Sequence, residues 1–233
     1  TNNDDSTVKV YYWNGRGKVE PLRILLAACN VKFTNVFFTE DNGYTMFEKL
    51  KKDRTLLYYQ APLLQMDGLN MIQTGAQFRY VARKYNLMGS TIKEQYLVDV
   101  IYEGTRDFRG IYNGWPWNKF KGELDKFSKE LYVQLTTDQK KGLRYFPVFE
   151  KYLKESSTDF FLNKLSAADV AVFEIIDACV EYYGLDKTSK EILKNYPNIL
   201  KLYNAVLKVG RVNEYLKERK YDTYIDYCKA VKK

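Results

Sequence analysis

Histidine is absent from this sequence, so the proton chemistry that imidazole usually performs is closed to it. Ser-His-Asp triads, H-E-x-x-H metal centres and histidine general bases are all excluded. The three cysteines, Cys29, Cys179 and Cys228, lie far apart with no C-x-x-C between them. That rules out a thioredoxin-type redox couple and a zinc knuckle, and no metal site is expected. Chemistry must fall to tyrosine, lysine, arginine or carboxylates, or to a nucleophile that a substrate brings. Two places hold such groups in suggestive company, Tyr12-Trp13-Asn14-Gly15-Arg16-Gly17-Lys18 and Asp107 between Arg106 and Arg109, and two stretches without them, Gln60-Ala61-Pro62 and Gln73-Thr74, bear on the reading below.

Each of these groups also has a structural reading. Tyr12 is one of 21 tyrosines, and a tyrosine on a strand is more often core than catalytic. Lys18 could simply neutralise Glu20. Asp107 could pair with Arg106 or Arg109 on its own helix. Thr74 could cap a helix, although the free amides of the same helix start would also attract an anion. Pro62 makes a cis peptide bond possible without requiring one.

The elements that must position these residues follow from periodicity. Val8 to Trp13 is rich in β-branched and aromatic residues and ends at Asn14-Gly15, which predicts a strand and a turn. Residues 19–29 keep helical spacing with Pro21 in the first turn, and 31–38 return to strand character. A lysine-rich, weakly helical stretch covers 44–54. Residues 62–66 and 69–72 flank Asp67-Gly68, which predicts a hairpin, and 74–85 resume helical spacing. The order β-α-β-α-β-β-α describes a small mixed sheet covered by helices.

Beyond about residue 88 no strand is expected. Helices are predicted over 92–112, 122–135, 143–155, 167–182, 187–195, 198–209 and 212–232. A domain boundary therefore falls near 88, giving a first domain over 8–88 and an all-helical domain with a C-terminal extension over 89–233. Ser166 followed by Asp169 reads as a capping box with Leu165 as its apolar staple.

Composition is that of a globular chain: 45% hydrophobic and 28% charged over 233 residues. No apolar run approaches the roughly 20 residues a membrane helix needs, and the polar start lacks a secretory layout. With three dispersed cysteines this suits a reducing compartment, so a cytoplasmic location is expected. Net charge is +8. From Tyr183 onward Lys and Arg outnumber Asp and Glu two to one, which marks either a solvated helical face or a docking surface for an acidic partner.

Tyr12 to Lys18, Gln60 to Pro62, Gln73-Thr74, Lys84-Tyr85-Asn86-Leu87-Met88-Gly89 and the Ser166–Asp169 helix start stand in the order seen in cytosolic glutathione transferases. The sequence resembles that family over nearly its whole length, most closely the tyrosine-type classes (alpha, mu, pi and sigma). The resemblance implies a thioredoxin-like N-terminal domain, an all-helical C-terminal domain, glutathione as co-substrate, a hydrophobic electrophile as acceptor, and a homodimer. By it, Tyr12 matches the hydroxyl that hydrogen-bonds the glutathione sulfur and Lys18 a cation near the same atom, while Arg16 matches a structural residue. Pro62 matches a cis-proline, with the Ala61 backbone pairing the cysteinyl portion. Gln73 and Thr74 would hold the γ-glutamyl end, and Lys51, or in its place Lys52 or Arg54, would meet the glycine carboxylate with Gln60. Asp107 would reach across the dimer to the γ-glutamyl amine. Trp13, Gly17, Tyr112 and Tyr221 are candidates for the acceptor pocket, though aromatic residues of this kind serve equally as core. Gly75 and Ala61 are smaller than the family's usual residues, and the stretch 51–59 is unusually basic, then unusually aromatic.

A tyrosine suffices for the chemistry implied. A free thiol near pKa 8.5 is only roughly 3% thiolate at neutral pH. A hydroxyl donor and a cation beside the sulfur favour the anion, and one charge-assisted hydrogen bond of about 1.5–3 kcal/mol lowers the pKa by one to two units. Two functions follow. The chain ionises glutathione for attack on hydrophobic electrophiles, or it keeps the fold as a non-catalytic assembly subunit that docks a partner protein through basic C-terminal helices. No nucleic-acid partner is expected.

Overall fold

A computed structural model of the protein describes residues 8–39, 43–114 and 145–220, with residues 125, 126 and 129. Four strands, β1 (Lys9–Trp13), β2 (Thr34–Phe38), β3 (Leu63–Met66) and β4 (Leu69–Ile72), form one mixed sheet in the order β2-β1-β3-β4. β1 lies parallel to β2 and antiparallel to β3. Parallel pairing of consecutive strands demands a crossover, and α1 (Glu20–Ala28) supplies it. At the hairpin, Asp67 and Gly68 take φ of 54° and 74°, the paired positive values that let a two-residue turn follow the strand twist.

Helix α1 is buried at all nine positions. It is enclosed by α3 (Thr74–Lys84), α6 (Ala167–Tyr183) and α8 (Val212–Glu218), and α6 packs in turn on α4 (Ile92–Gly114) and α7 (Pro197–Val206). Helices buried all round read as continuously apolar, as Ile24 to Ala28 and Val170 to Phe173 do. The remaining helices are α2 (Gly43–Lys52) and α5 (Phe146–Glu155). Past Ile72 there is no strand among the described residues.

The capping box forms as expected: both reciprocal bonds are present. Asp169 also accepts from the Phe161 amide at 2.8 Å, so it fixes the preceding loop as well as the helix start. Two expected helices differ. In place of one helix over 187–195 there is a short turn, Leu185–Lys187, and a wide one, Thr188–Ile192, in which the Leu193 amide donates to the Thr188 carbonyl at 2.9 Å. The helix expected over 212–232 ends at Glu218, because Arg219 turns extended and carries its guanidinium to Asp177 at 2.7 Å and Glu20 at 3.2 Å. Of the helix expected over 122–135 only residues 125, 126 and 129 are described, all helical, and the extension from residue 221 lies outside the described residues.

Candidate active site

Where the C-terminal end of β1 meets the first turn of α1, the chain runs through Asn14 to Lys18 in a short turn and a 3-10 segment, Gly17–Val19. Gly17 has φ +46°, and a Cβ there would stand 2.4–2.8 Å from three atoms of the Tyr12 ring, its hydroxyl included. Only glycine lets the turn fold back over that ring. The Lys18 amide donates to the Tyr12 hydroxyl at 3.2 Å. That bond occupies an acceptor position and leaves the phenolic proton available for donation. Burial raises the Tyr12 pKa above the ordinary value of 10, while the Lys18 amide, Arg23 and Arg109 pull it partly back. The group is a phenol at neutral pH, and hence a donor.

Lys18, whose amide holds that hydroxyl, also lines a cavity of about 480 Å³, with Gln60, Ala61, Pro62, Gln73 and Thr74 on the same side; Tyr12 itself stands behind Lys18 and is not part of the lining. These residues come from the turn after β1, the approach to β3 and the start of α3, three regions that the sheet brings to one edge. The Ala61–Pro62 bond is cis. Gln77 of α3 is buried and donates to the Pro62 carbonyl at 3.0 Å and the Met71 carbonyl at 2.8 Å, tying the helix to both strands beside the cavity. Gln73, at the mouth of α3, has φ 66° and ψ 106°. A non-glycine residue held there costs about 1–3 kcal/mol, and such positions cluster at ligand sites.

The opposite wall is α4, which contributes Tyr102, Glu103, Arg106, Asp107, Arg109 and Gly110. Asp107 is therefore at the cavity, and it pairs with neither neighbouring arginine. Arg106 binds Glu103 at 2.8 Å, and Arg109 binds Glu174. Glu103, Arg106 and Arg109 were not expected at the site. Their signal was the helical spacing of 102, 106, 109 and 110, which becomes meaningful only once α4 is docked. At Gly75 a Cβ would stand 3.2–3.3 Å from the guanidiniums of Arg79, on the same helix, and Arg106 of α4, close enough to press on both.

Other expected site residues lie elsewhere. Lys51 binds Glu48 at 2.8 Å, sits over the Phe47 and Tyr59 rings, and does not line the cavity. Trp13 packs with Phe38 and Phe47 at centroid distances of 5.3 and 5.4 Å and is also outside the lining. Gly17 serves the Tyr12 ring. Tyr112 belongs to α4, but its side chain, like all of Tyr221, lies outside the described residues.

Behind both walls runs a buried charge cluster. Arg16 meets Glu174 at 3.2 Å, Asp177 at 2.7 Å and Glu181 at 2.8 Å, all from α6. Arg23 and Arg219 meet Glu20. Among the described residues, and with Arg109, four arginines of this cluster face four carboxylates, the near balance of charge that burial demands.

The chain matches two family models, the glutathione S-transferase N-terminal domain over residues 8–83 and its C-terminal domain over residues 116–219. It is 34% identical to human glutathione S-transferase A3 over 211 residues, covering 89% of this chain and 87% of that protein. It is 33% identical to rat glutathione S-transferase alpha-3, covering 89% and 87%. Among solved structures, the pi-class glutathione S-transferase of Onchocerca volvulus superposes with a TM-score of 0.73 at 25% identity, covering 91% of this chain and 93% of that one. Alpha-named and pi-class proteins both match, so the likeness is to the family and not to a single class. The chain belongs to the glutathione S-transferase family.

Proposed function

We propose that the chain is a glutathione transferase that ionises bound glutathione at Tyr12 for attack on hydrophobic electrophiles. The observation that carries this reading is a phenol kept protonated by burial, one hydrogen bond from Lys18 at the edge of a cavity with a cis-proline and a helix start. The cysteinyl backbone would pair with Ala61 beside Pro62. The γ-glutamyl end would sit at Gln73 and Thr74, where the opening amides of α3 favour a carboxylate. Gln60 would meet the glycine end. Attack then needs only an ionised sulfur and an acceptor held beside it.

The test is a comparison of wild-type enzyme with Tyr12→Phe. Both are expected to be retained on immobilised glutathione. The variant should lose about 10–100-fold in conjugation of chlorodinitrobenzene, the value of one charge-assisted hydrogen bond. Its kcat/KM profile should shift toward the pKa of the free thiol. Equal turnover and an unshifted profile would sink the assignment.

A homodimer is the expected assembly. Its support on this chain is a set of large apolar side chains left in solvent, among them Leu57, Tyr58 and Tyr59 after α2 and Ile92 and Tyr96 on α4. No helix of the described residues is long and apolar enough to cross a membrane, and the two described cysteines are free, as a cytoplasmic setting would allow. The alternative of a docking subunit draws no support: within the described part of the basic C-terminal region, Arg211 and Arg219 are already paired with acidic residues.

A further inference from the structure

The sulfur site described above has one donor, Tyr12, and one expected cation, Lys18, whose side chain is exposed. A second positive charge lies deeper. Arg109 lines the same cavity from α4 and is 7% exposed. Buried arginine stays charged, so its field reaches the cavity through protein and is only weakly screened. Its position is fixed by Glu174 of α6, 2% exposed in its side chain, which is shared with Arg16 at 3.2 Å.

We propose that Arg109, pinned by Glu174, is a second cationic wall of the sulfur site and contributes to ionisation of bound glutathione. The inference rests on the Tyr12 reading and extends it to a charge pair between α4 and α6. Other charged groups among the described residues stand around Arg109. On its own helix, Glu103 is engaged by Arg79 and Arg106, so the nearest acid there is already compensated. On α6, the carboxylates of Asp177 and Glu181 are taken by Arg16. Arg23 of α1 is the other guanidinium acting on Tyr12, but it is held by Glu20, Asn35 and the Gly15 carbonyl and does not line the cavity. Asp107 and Glu103 line the cavity with opposite sign beside Lys18 and Arg106, and Arg109 adds a buried positive charge to that set. Glu174 is a positioning residue: it touches no ligand and acts through Arg109.

The test uses thiolate ultraviolet absorbance of enzyme-bound glutathione, titrated from pH 5 to pH 9, with kcat/KM followed over the same range. Arg109→Met alone would leave Glu174 undercompensated and could prevent folding. The charge-balanced double variant Arg109→Met/Glu174→Gln and the charge-preserving Arg109→Lys are therefore measured together. The double variant is expected to titrate about one unit higher than wild type and to be about tenfold slower at pH 6.5, with the two converging toward pH 9. Arg109→Lys keeps the charge but not the guanidinium geometry, so its midpoint should fall between those of wild type and the double variant. A double variant with the wild-type midpoint, beside a Tyr12→Phe variant whose midpoint moves, overturns the role of Arg109 and leaves Tyr12 intact. A wild-type midpoint no lower than that of free glutathione overturns the Tyr12 reading and this inference with it.

Discussion

At the scale of single residues, the site depends on how closely a turn can approach an aromatic ring. The Tyr12 hydroxyl is held by the Lys18 amide at 3.2 Å, and the turn reaches it because position 17 carries no Cβ. Gly17→Ala would drive a methyl to 2.4–2.5 Å from the ring and its oxygen at a positive φ, where a side chain adds a further 1–3 kcal/mol or so of backbone strain. Either the ring or the turn must move. We expect turnover to fall at least about tenfold, since small misplacement of a reacting group is costly, with glutathione still retained through the contacts proposed for Ala61, Gln73 and Thr74. Conjugation kinetics beside a glutathione-affinity measurement check this, and an unchanged kcat would contradict it.

At the scale of elements, local chemistry was readable and long-range chemistry was not. The strand before Asn14-Gly15, the Asp67-Gly68 hairpin and the Ser166–Asp169 helix start are all set by neighbours within four residues, and each stands where the sequence put it. Arg109, by contrast, finds its partner 65 positions away, and Arg219 leaves its helix to reach Glu20 across 199 positions. No periodicity reports such pairings. Lys51 meets Glu48 three residues earlier, a local surface pairing that was not weighed from the sequence. Gly75 looked like a weakened helix start, and only the docked helices show that two guanidiniums pack over it. The capping box makes the quantitative prediction at this scale. Ser166→Ala should cost about 1 kcal/mol. Asp169→Ala should cost more, on the order of 2–4 kcal/mol, because the Ser166 and Phe161 amides would both lose their buried acceptor. Urea unfolding of the two variants measures the ranking, and a milder Asp169 variant would mean that the loop finds other partners.

At the scale of the whole molecule, the buried charge cluster joins the turn after β1 and helix α1 to α4, α6 and α8. Replacing the whole cluster by apolar residues need not weaken the fold, but removing one partner strands the others. Burial alone would raise the pKa of Glu174 and of Asp177; Arg109 and Arg16 acting on the first, and Arg16 and Arg219 on the second, hold both below the ordinary carboxylate range. A carboxylate whose folded pKa lies below its unfolded value makes the unfolded chain bind more protons in between. The stability it contributes is thus complete above the unfolded value, near 4, and is lost as pH falls through that value toward the folded one. The free energy of unfolding should accordingly show no loss from these two groups between pH 7 and pH 5 and a steep loss below about pH 4. Asp177→Asn should be destabilised by about 3–5 kcal/mol at pH 7, since Arg16 and Arg219 lose their shared charge, and its acid slope should be shallower than that of wild type. Urea midpoints followed by circular dichroism across pH 3–7 give both quantities. Parallel acid slopes for the two proteins would show that the cluster does not govern acid unfolding, and a biphasic melt would show that it does not make the helices and the sheet one cooperative unit.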